Sequence, residues 1–167
     1  MTDETTTDET TIDETATDET AASDWEQEAV VDSPTDWVAK HVRSYVESNG
    51  RNGHLYHGMP TLLLTTRGRR TGIRRRTALI YGEAGESFLL VASNSGSASH
   101  PAWYLNLSED PAVDVQIGGE VFAAWARTAG PAEKPLLWQQ MAEIFPTYTR
   151  YQEKAGRDIP VVILDRA

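Results

Sequence analysis

The chain has 167 residues, enough for one domain with a hydrophobic core, and its formal net charge is -10 at pH 7. It contains no cysteine, which excludes disulfides, thiolate metal sites and cysteine nucleophiles. No apolar run approaches the roughly 18 residues needed to span a bilayer, and the N-terminus lacks the basic and apolar regions of a signal peptide, so we expect a cytoplasmic protein.

Acidic residues are concentrated at the N-terminus. Residues 1–32 hold twelve of the 25 acidic residues and none of the 15 basic ones, so residues 33–167 carry 13 acids against 15 bases. Thr-Asp-Glu-Thr units repeat there with almost no apolar residue between them. We expect residues 1–32 to be a disordered tail, because dense like charge without apolar content cannot offset the entropy of ordering. A solubilising tail and a docking arm that mimics an anionic ligand both remain open.

The predicted domain spans residues 33–167, and a helix is predicted at its start. Ser33-Pro34-Thr35-Asp36 supplies a capping residue, an early proline and an acid in the first turn. Apolar residues then recur at helical spacing until Asn49-Gly50 ends the pattern, and residues 50–60 form a Gly- and His-rich loop.

From Thr61 onward the sequence has the pattern of strands. Thr61–Thr66 and Arg74–Tyr81 flank Gly68–Gly72, which predicts a hairpin with a basic tip. Further strands are predicted at Ser87–Ser93, at Ala112–Ile117 and Glu120–Thr128 around a Gly-Gly turn, and at Ile159–Leu164. The helical segments are residues 100–108 and Pro131–Glu143, with a turn or helix at Phe145–Ala155. About six strands with inserted helices predict an α+β fold, a small antiparallel barrel or a strongly curled sheet, whereas the missing βαβ alternation argues against a Rossmann fold.

Five arginines surround the Gly68–Gly72 turn: Arg69, Arg70, Arg74, Arg75 and Arg76. Guanidinium groups bind phosphates and carboxylates with two parallel hydrogen bonds, and glycines let the backbone approach the anion closely. The turn therefore predicts an anion site. A solvated basic hairpin and a nucleic-acid patch are the alternatives, and the second is disfavoured by the small charge of the domain and the lack of stacking aromatics nearby.

Two further segments carry candidate binding groups. Residues 93–97 place hydroxyls and backbone N–H groups between a strand and a helix, which suits a phosphate or a polar ring edge, although ordinary loops share this composition. Phe145, Tyr148 and Tyr151 recur every three residues, and the polar neighbours of the two tyrosines favour a partly open wall over core packing. The four histidines show no ligand spacing, so we expect no metal site.

These residues occur together in a known family. The matching blocks are Thr65-Thr66-Arg67-Gly68-Arg69-Arg70-Thr71-Gly72, Val91-Ala92-Ser93 with Gly96, Pro101-x-Trp103-Tyr104-Leu105-Asn106-Leu107, Pro111-x-Val113-x-Val115-Gln116-Ile117, Phe145-Pro146-x-Tyr148-x-x-Tyr151 and Arg157-x-Ile159-Pro160-Val161. Over roughly residues 35–165 the chain resembles the deazaflavin-dependent nitroreductases, small split β-barrels that use reduced coenzyme F-420. The resemblance implies a split-barrel, F-420-binding domain over residues 33–167.

The resemblance also implies a role for individual residues. Those that would bind the cofactor are Gly68, Arg69, Arg70, Thr71, Arg75, Arg76, Thr77, Ala78, Leu79, Val91, Ala92, Ser93, Asn94, Gly96, Ser97, Ala98 and Trp103. Ser93, Tyr148 and Tyr151 would stabilise or protonate the substrate. Asn94 stands where well-known members carry a lysine, and Ile80 and Phe145 replace pocket tyrosines, which implies a more apolar pocket and puts nitroimidazole-type activity in doubt.

We therefore expect an F-420-dependent oxidoreductase that passes a hydride to a small organic acceptor, namely a quinone, an activated alkene or a nitroaromatic. The alternatives are a split barrel that binds FMN or haem, a non-catalytic F-420 carrier and an RNA-binding module. FMN has one phosphate and needs fewer cations than this turn provides. We expect a small-molecule substrate, no nucleic-acid partner and an oligomeric state that the sequence leaves open. The apolar N-terminal helix and pocket tyrosines also allow peripheral membrane contact.

Overall fold

The computed structural model describes residues 30–167. Residues 1–29 of the predicted tail, which include the acidic repeat, lie outside the described residues. Within residues 30–167 the chain forms nine strands and four α-helices. The strands are β1 (Val30–Asp32), β2 (Leu55–Tyr56), β3 (Met59–Arg67), β4 (Arg74–Ile80), β5 (Gly82–Ala84), β6 (Ser87–Val91), β7 (Ala112–Ile117), β8 (Glu120–Thr128) and β9 (Val161–Arg166). The helices are α1 (Asp36–Glu47), α2 (Ala102–Glu109), α3 (Lys134–Ile144) and α4 (Thr147–Ala155).

The strands form one mostly antiparallel sheet. Hydrogen bonds connect them in the order β1-β4-β3-β7-β8-β9-β6-β5, and β2 pairs with β3 beside this path. Only the pairing of β1 with β4 is parallel among the described strands. The mixed α+β class is confirmed, and the hydrogen-bonded path is open between β1 and β5.

The predicted count of about six strands is too low. The three additional strands are β1, β2 and β5, which have 3, 2 and 3 residues. Segments this short carry no readable alternation, because they become strands only through the partner that they pair with. One of them, Val30–Asp32, falls inside the segment for which disorder is predicted, and it pairs with Arg74–Arg76.

The longer elements lie where their periodicity places them. The N-terminal helix α1, the hairpin β3–β4, the strand β6, the hairpin β7–β8 and the helix α2 each overlap their predicted ranges. The main core packs between the sheet and α2, with Leu62 and Leu64 of β3 fully buried in it. The opposite face of β3 carries Leu63, which packs against Val42 and Tyr45 of α1. Alternation along β3 thus supplies both a main core and a smaller one under α1.

A buried tyrosine joins α1 to the sheet. The Tyr45 hydroxyl donates to the backbone oxygen of Thr61 at 3.0 Å and accepts from the N–H of Gly118 at 2.8 Å. Burial is the main reason why the pKa of Tyr45 is raised, and the Gly118 hydrogen bond partly opposes it. Gly50 lies against the same turn, where an added Cβ would meet the Gly118 Cα at 2.4 Å. These contacts fix the end of α1 on the β7–β8 hairpin.

None of the helices within residues 30–167 combines the length and the apolar character needed to cross a membrane.

Replacing Tyr45 by phenylalanine tests the anchoring of α1. The substitution keeps the ring but leaves the Gly118 N–H and the Thr61 carbonyl without their buried partner, so we expect a loss of about 1–3 kcal/mol in unfolding free energy. Urea denaturation followed by circular dichroism measures the loss. Tyr56→Phe is the control, because the half-exposed Tyr56 packs only its ring. Equal stability of the two variants would contradict the anchoring role.

Candidate functional site

A cleft of about 510 Å³ lies between α1, β4, the loop after β6, α2 and α4. It contains most of the aromatic and hydroxyl side chains that the sequence singles out. Its lining includes Thr77, Ala78, Leu79, Val91, Ser93, Asn94, Trp103, Tyr148 and Tyr151. The cleft therefore brings together predicted site residues that are up to 74 positions apart in the chain.

One wall of the cleft is a strand edge. On that edge β4 pairs with β1 only as far as Asp32 and Arg76, and the N–H of Ser33 then bonds the Arg76 carbonyl at 3.0 Å. From Thr77 to Ile80 the same edge has no strand partner within residues 30–167. Backbone N–H and C=O groups of an edge strand offer donors and acceptors to a ligand. The end of β1 therefore creates a polar rim for the cleft.

The basic turn at the tip of β3–β4 depends on its glycines. The N–H of Gly68 bonds the Ile73 carbonyl at 2.7 Å, and the N–H of Gly72 bonds the Gly68 carbonyl at 2.8 Å. Gly72 has a φ of 76°, in the left-handed region that glycine adopts at little cost. The Thr71 hydroxyl accepts from the N–H of Ile73 at 3.1 Å. Two of the predicted anion-binding residues, Gly68 and Thr71, thus have a clear structural role in shaping the turn.

A buried asparagine connects the basic turn to the cleft. The Asn106 side-chain oxygen accepts from the Arg69 backbone N–H at 3.1 Å and from its guanidinium at 3.0 Å, while its amide donates to Thr66 at 3.2 Å. Asn106 is 3% exposed and lies one helical turn after Trp103, which lines the cleft. The sequence prediction leaves Asn106 out of the site. The sequence feature that could have identified Asn106 is a polar residue at a core position of α2.

Alternation along β4 divides the arginines between two faces. Arg74 and Arg76 lie on one face, where Arg74 forms an ion pair with Asp114 and Arg76 bonds Asp32 at 2.7 Å. Arg75 lies on the other face, together with Thr77 and Leu79. Arg76 is predicted to bind the cofactor, but it does not line the cleft and it pairs with a carboxylate of the same chain.

A second cavity, of about 580 Å³, lies on the face that carries Arg74 and Arg76. Asp114 also lines it, and the remaining lining is mainly aliphatic or uncharged. Because each of the two arginines has an acidic partner, this cavity is a weaker anion site than the basic turn.

The loop after β6 has an unusual backbone. Asn94, Ser95 and Gly96 have φ values of 50°, 55° and 78°, so two non-glycine residues lie in the left-handed region. Such residues cost on the order of 1 kcal/mol each and persist only where the surroundings hold them. An added Cβ at Gly96 would stand 3.1 Å from the Tyr151 Cα, so the loop packs tightly on α4.

Arg157 holds this loop in place. Its guanidinium donates to the backbone oxygens of Ala92 at 3.3 Å, Ser93 at 3.0 Å and Ser97 at 3.0 Å. The same group contacts the His100 Nδ1 at 3.0 Å. Burial, and after it the Arg157 charge, lower the pKa of His100. One side chain therefore fixes both ends of the loop, which explains how its strained residues persist.

Two tyrosines of α4 face the cleft from behind the loop. Tyr148 is 5% exposed, and its hydroxyl makes no hydrogen bond within residues 30–167. Burial is the main reason why the pKa of Tyr148 lies far above its ordinary value of 10.0, with Tyr151 adding to the shift. Phe145 packs edge-on against Tyr148, with ring centroids 4.9 Å apart. Tyr148 therefore presents a neutral hydroxyl whose donor is available to a ligand.

A known protein family matches most of this chain. The F420H(2)-dependent quinone reductase family matches residues 37–166. The chain belongs to this family. The resemblance inferred from the sequence, the reductase class and the F-420 cofactor are confirmed by this membership.

Relatives of the family support the assignment. An F420H(2)-dependent quinone reductase of Mycobacterium tuberculosis is 37% identical over 143 residues, which cover 78% of this chain and 96% of the relative. A solved F420-H2 dependent reductase is 36% identical with a TM-score of 0.59, covering 64% of this chain and 94% of that chain. A second solved structure, described as a domain-swapped dimer, is 34% identical with a TM-score of 0.62 and covers 80% of this chain and 100% of that chain.

Some of the residues that the family resemblance assigns to the cofactor lie beside the cleft and not on its surface. Ala92 is buried, and its N–H bonds the Pro160 carbonyl at 3.0 Å. Ser97 bonds the Ser99 N–H through its hydroxyl at 3.1 Å, and Ala98 is exposed. These residues shape the loop whose other members, Ser93 and Asn94, line the cleft.

The cleft of this family member also has a wall that the sequence prediction does not include. Trp37, Val38 and His41 of α1 line it together with Tyr56 of β2. His41 Nε2 lies 2.8 Å from the Gly53 carbonyl, which ties the loop over residues 50–58 to α1. Helical spacing makes these residues core candidates, so only the packing of α1 beside β4 shows that they reach the cleft.

Replacing Arg157 by glutamine tests the hold on the loop. Removing the guanidinium charge is expected to raise the pKa of His100, which stays below its ordinary value of 6.5 because burial is the larger cause. An NMR titration of the imidazole measures the shift. Arg150→Gln, at an exposed position of α4, is the charge-matched control and should leave His100 unchanged. An unaltered His100 titration in the Arg157 variant would contradict the contact.

Proposed function

We propose that this chain is an F-420-dependent reductase that passes a hydride to a quinone, with the ring of the cofactor in the cleft and its anionic tail at the basic turn. The observation that carries the proposal is the placement of both sites on β4. Thr77–Ile80 line the cleft at one end of the strand, and Gly68–Gly72 lie beyond the other end.

The distance between the two sites suits a long cofactor. From Thr77 back to Gly72 the chain advances five residues, which span at most about 16 Å at the rise of an extended strand. A flat ring system joined to a phosphate and a polyglutamate tail has this shape. Arg69 and Arg70 lie in the turn and are the first candidates for the tail, with Arg75 on the adjoining strand as a third. Arg74 and Arg76 pair with Asp114 and Asp32.

The residues of the cleft fit a polar ring edge. The edge of β4 at Thr77–Ile80, which pairs with no further strand in the described part of the chain, offers backbone groups. Val91 and Trp103 offer apolar surface for the ring faces. Ser93 adds a hydroxyl beside them. FMN remains the alternative cofactor, and it would leave most of the basic turn without an anionic group to bind.

Bound in its reduced form, F-420 supplies the hydride. A quinone that accepts it becomes a hydroquinone anion, and one proton then completes the hydroquinone. Tyr148 is suited to donate a hydrogen bond to the oxygen where charge develops, because its side chain lines the cleft and its hydroxyl has no hydrogen-bond partner within residues 30–167. The raised pKa of Tyr148 makes it a poor proton source, so we assign it stabilisation of charge and assign delivery of the proton to solvent.

The apolar part of the cleft favours a quinone as acceptor. Ile80 and Phe145 line it, together with Trp37 of α1. A quinone ring has apolar faces and only two oxygens, so it loses little hydration energy in such surroundings. Ser93 and Tyr151 are the remaining candidates for contact with its oxygens. A non-catalytic carrier would need no such apolar space for an acceptor beside the cofactor.

Exposed apolar side chains beside the cleft also support peripheral membrane contact. Trp37 is 58% exposed and stacks on Tyr56, and the neighbouring Leu55 is 50% exposed. Exposed tryptophan beside apolar residues is typical of membrane interfaces. A lipid-soluble quinone could enter the cleft from that side.

The path of β4 and β5 supports a split barrel. Only Tyr81 separates the two strands, yet β4 pairs with β3 and β5 pairs with β6, at opposite ends of the hydrogen-bonded order. One nearly continuous segment thus belongs to both ends of the sheet, which requires strong curling.

Replacing Arg69 and Arg70 by alanine tests the cofactor assignment. We expect the double variant to bind oxidised F-420 at least about 30-fold more weakly, because two charge-assisted contacts are removed. Titration followed by tryptophan fluorescence measures the affinity. The control is Arg43→Ala with Arg51→Ala, which removes the same charge at exposed positions elsewhere.

Two results would overturn the cofactor site at the basic turn. One is tighter binding of FMN than of F-420 to the unsubstituted protein. The other is an equal loss of F-420 affinity in the two double variants, since that outcome would reflect net charge and not position.

Replacing Tyr148 by phenylalanine tests the role of its hydroxyl. We expect kcat for quinone reduction to fall about tenfold while F-420 affinity is unchanged, since the lost hydrogen bond acts on the developing charge. Tyr104→Phe is the control, because its hydroxyl contacts Thr128 outside the cleft. At pH 10.0 the tyrosinate absorbance of wild type and Tyr148→Phe should be equal, because the pKa of Tyr148 is raised and the residue stays neutral. Unchanged kcat would remove Tyr148 from the mechanism.

A further inference from the structure

The short strand β1 sets the direction from which the acidic N-terminal segment reaches the domain. Val30 lies opposite Arg74, and β1 runs parallel to β4. Because β4 runs away from the Gly68–Gly72 turn, β1 begins on the side of the sheet nearer that turn. The acidic segment is therefore joined to the domain beside the basic turn.

Covalent attachment limits how far the nearest acids can be from this turn. Glu28, Glu26 and Asp24 precede Val30 by two, four and six residues. An extended chain spans at most about 3.6 Å per residue, so the Cα atoms of these acids stay within roughly 7 to 22 Å of the Val30 Cα. This tether gives them a high effective concentration at the basic turn.

The last acid of the segment already pairs with an arginine of β4. Asp32 bonds Arg76 at 2.7 Å, and both side chains are about three-quarters buried. Farther toward the turn, Arg70 is exposed, and Arg69 is partly exposed with its guanidinium on Asn106. Segment and turn thus carry opposite charges on neighbouring stretches of chain, and one pair between segment and strand is already present.

We propose that Asp24, Glu26 and Glu28 dock on the basic turn at Arg69 and Arg70. The docked carboxylates compete with the anionic tail of the cofactor, a consequence that rests on the function proposed above. Docking then weakens F-420 binding at low salt. Exposed ion pairs are individually weak and are screened by salt, so three of them give an effect of about fivefold that fades near 1 M salt.

The first experiment compares two full-length charge variants. The proximal variant carries Asp24→Asn, Glu26→Gln and Glu28→Gln, and the distal variant carries Asp3→Asn, Glu4→Gln and Asp8→Asn, with the same change in net charge. Each is titrated with F-420 at low and high salt. We expect the proximal variant to bind F-420 about fivefold more tightly than wild type at low salt, with no difference at high salt and less than twofold in the distal variant.

The second experiment detects docking without the cofactor. Phenylglyoxal modification of individual arginines is followed by peptide mass spectrometry, and the exposed Arg51 serves as an internal reference. We expect Arg70 to react about threefold faster in the proximal variant than in wild type at low salt. The rate at Arg51 should be the same in both.

The combined outcomes separate docking from the cofactor site. Unchanged Arg70 reactivity in the proximal variant overturns docking, whatever the F-420 titration shows. Faster Arg70 reactivity without F-420 binding in any variant supports docking and overturns the cofactor assignment. Equal effects of the proximal and distal variants in both experiments would mean that only the net charge of the segment matters. That result would also overturn docking.

Discussion

The two-residue period of β4 is the constraint on which the arrangement of charge depends. It sends Arg74 and Arg76 to one face, where Asp114 and Asp32 pair with them, and it puts Arg75 on the other face. Five clustered arginines would repel one another in a folded domain. Pairing two of them with carboxylates of the same chain lowers that repulsion beside the basic turn.

The cleft itself depends on the early end of β1. If this strand continued beyond Asp32, it would cover the edge of β4 at Thr77–Ile80 and close the polar rim. The chain instead turns into α1, which brings Trp37 and His41 to the far wall. On the near wall Arg157 holds three carbonyls of a loop that is partly left-handed. A reaction that relies on positioning a cofactor benefits from walls fixed in this way.

Much of the fold and part of the site were readable from the sequence, because their signals are local. Apolar periodicity located α1, β3, β4 and the β7–β8 hairpin, and the glycines around the arginines located the turn. The strands β1, β2 and β5 were missed because two or three residues show no period. Asn106 and Arg157 were outside the predicted site because their partners, Arg69 and the loop carbonyls, are about 40 to 65 residues away.

The kinds of chemistry present can be predicted from the sequence alone: a basic turn, a hydroxyl-rich loop, pocket aromatics and an acidic N-terminal segment. Composition and short-range spacing suffice for such features, because they depend on residues that are neighbours in the chain. The pairing of the arginines, the end of β1 and the hydroxyl that lacks a partner within residues 30–167 are set by contacts between distant segments. Each of these depends on strands and helices that meet across long stretches of chain, where hydrogen bonding and burial select one partner among many.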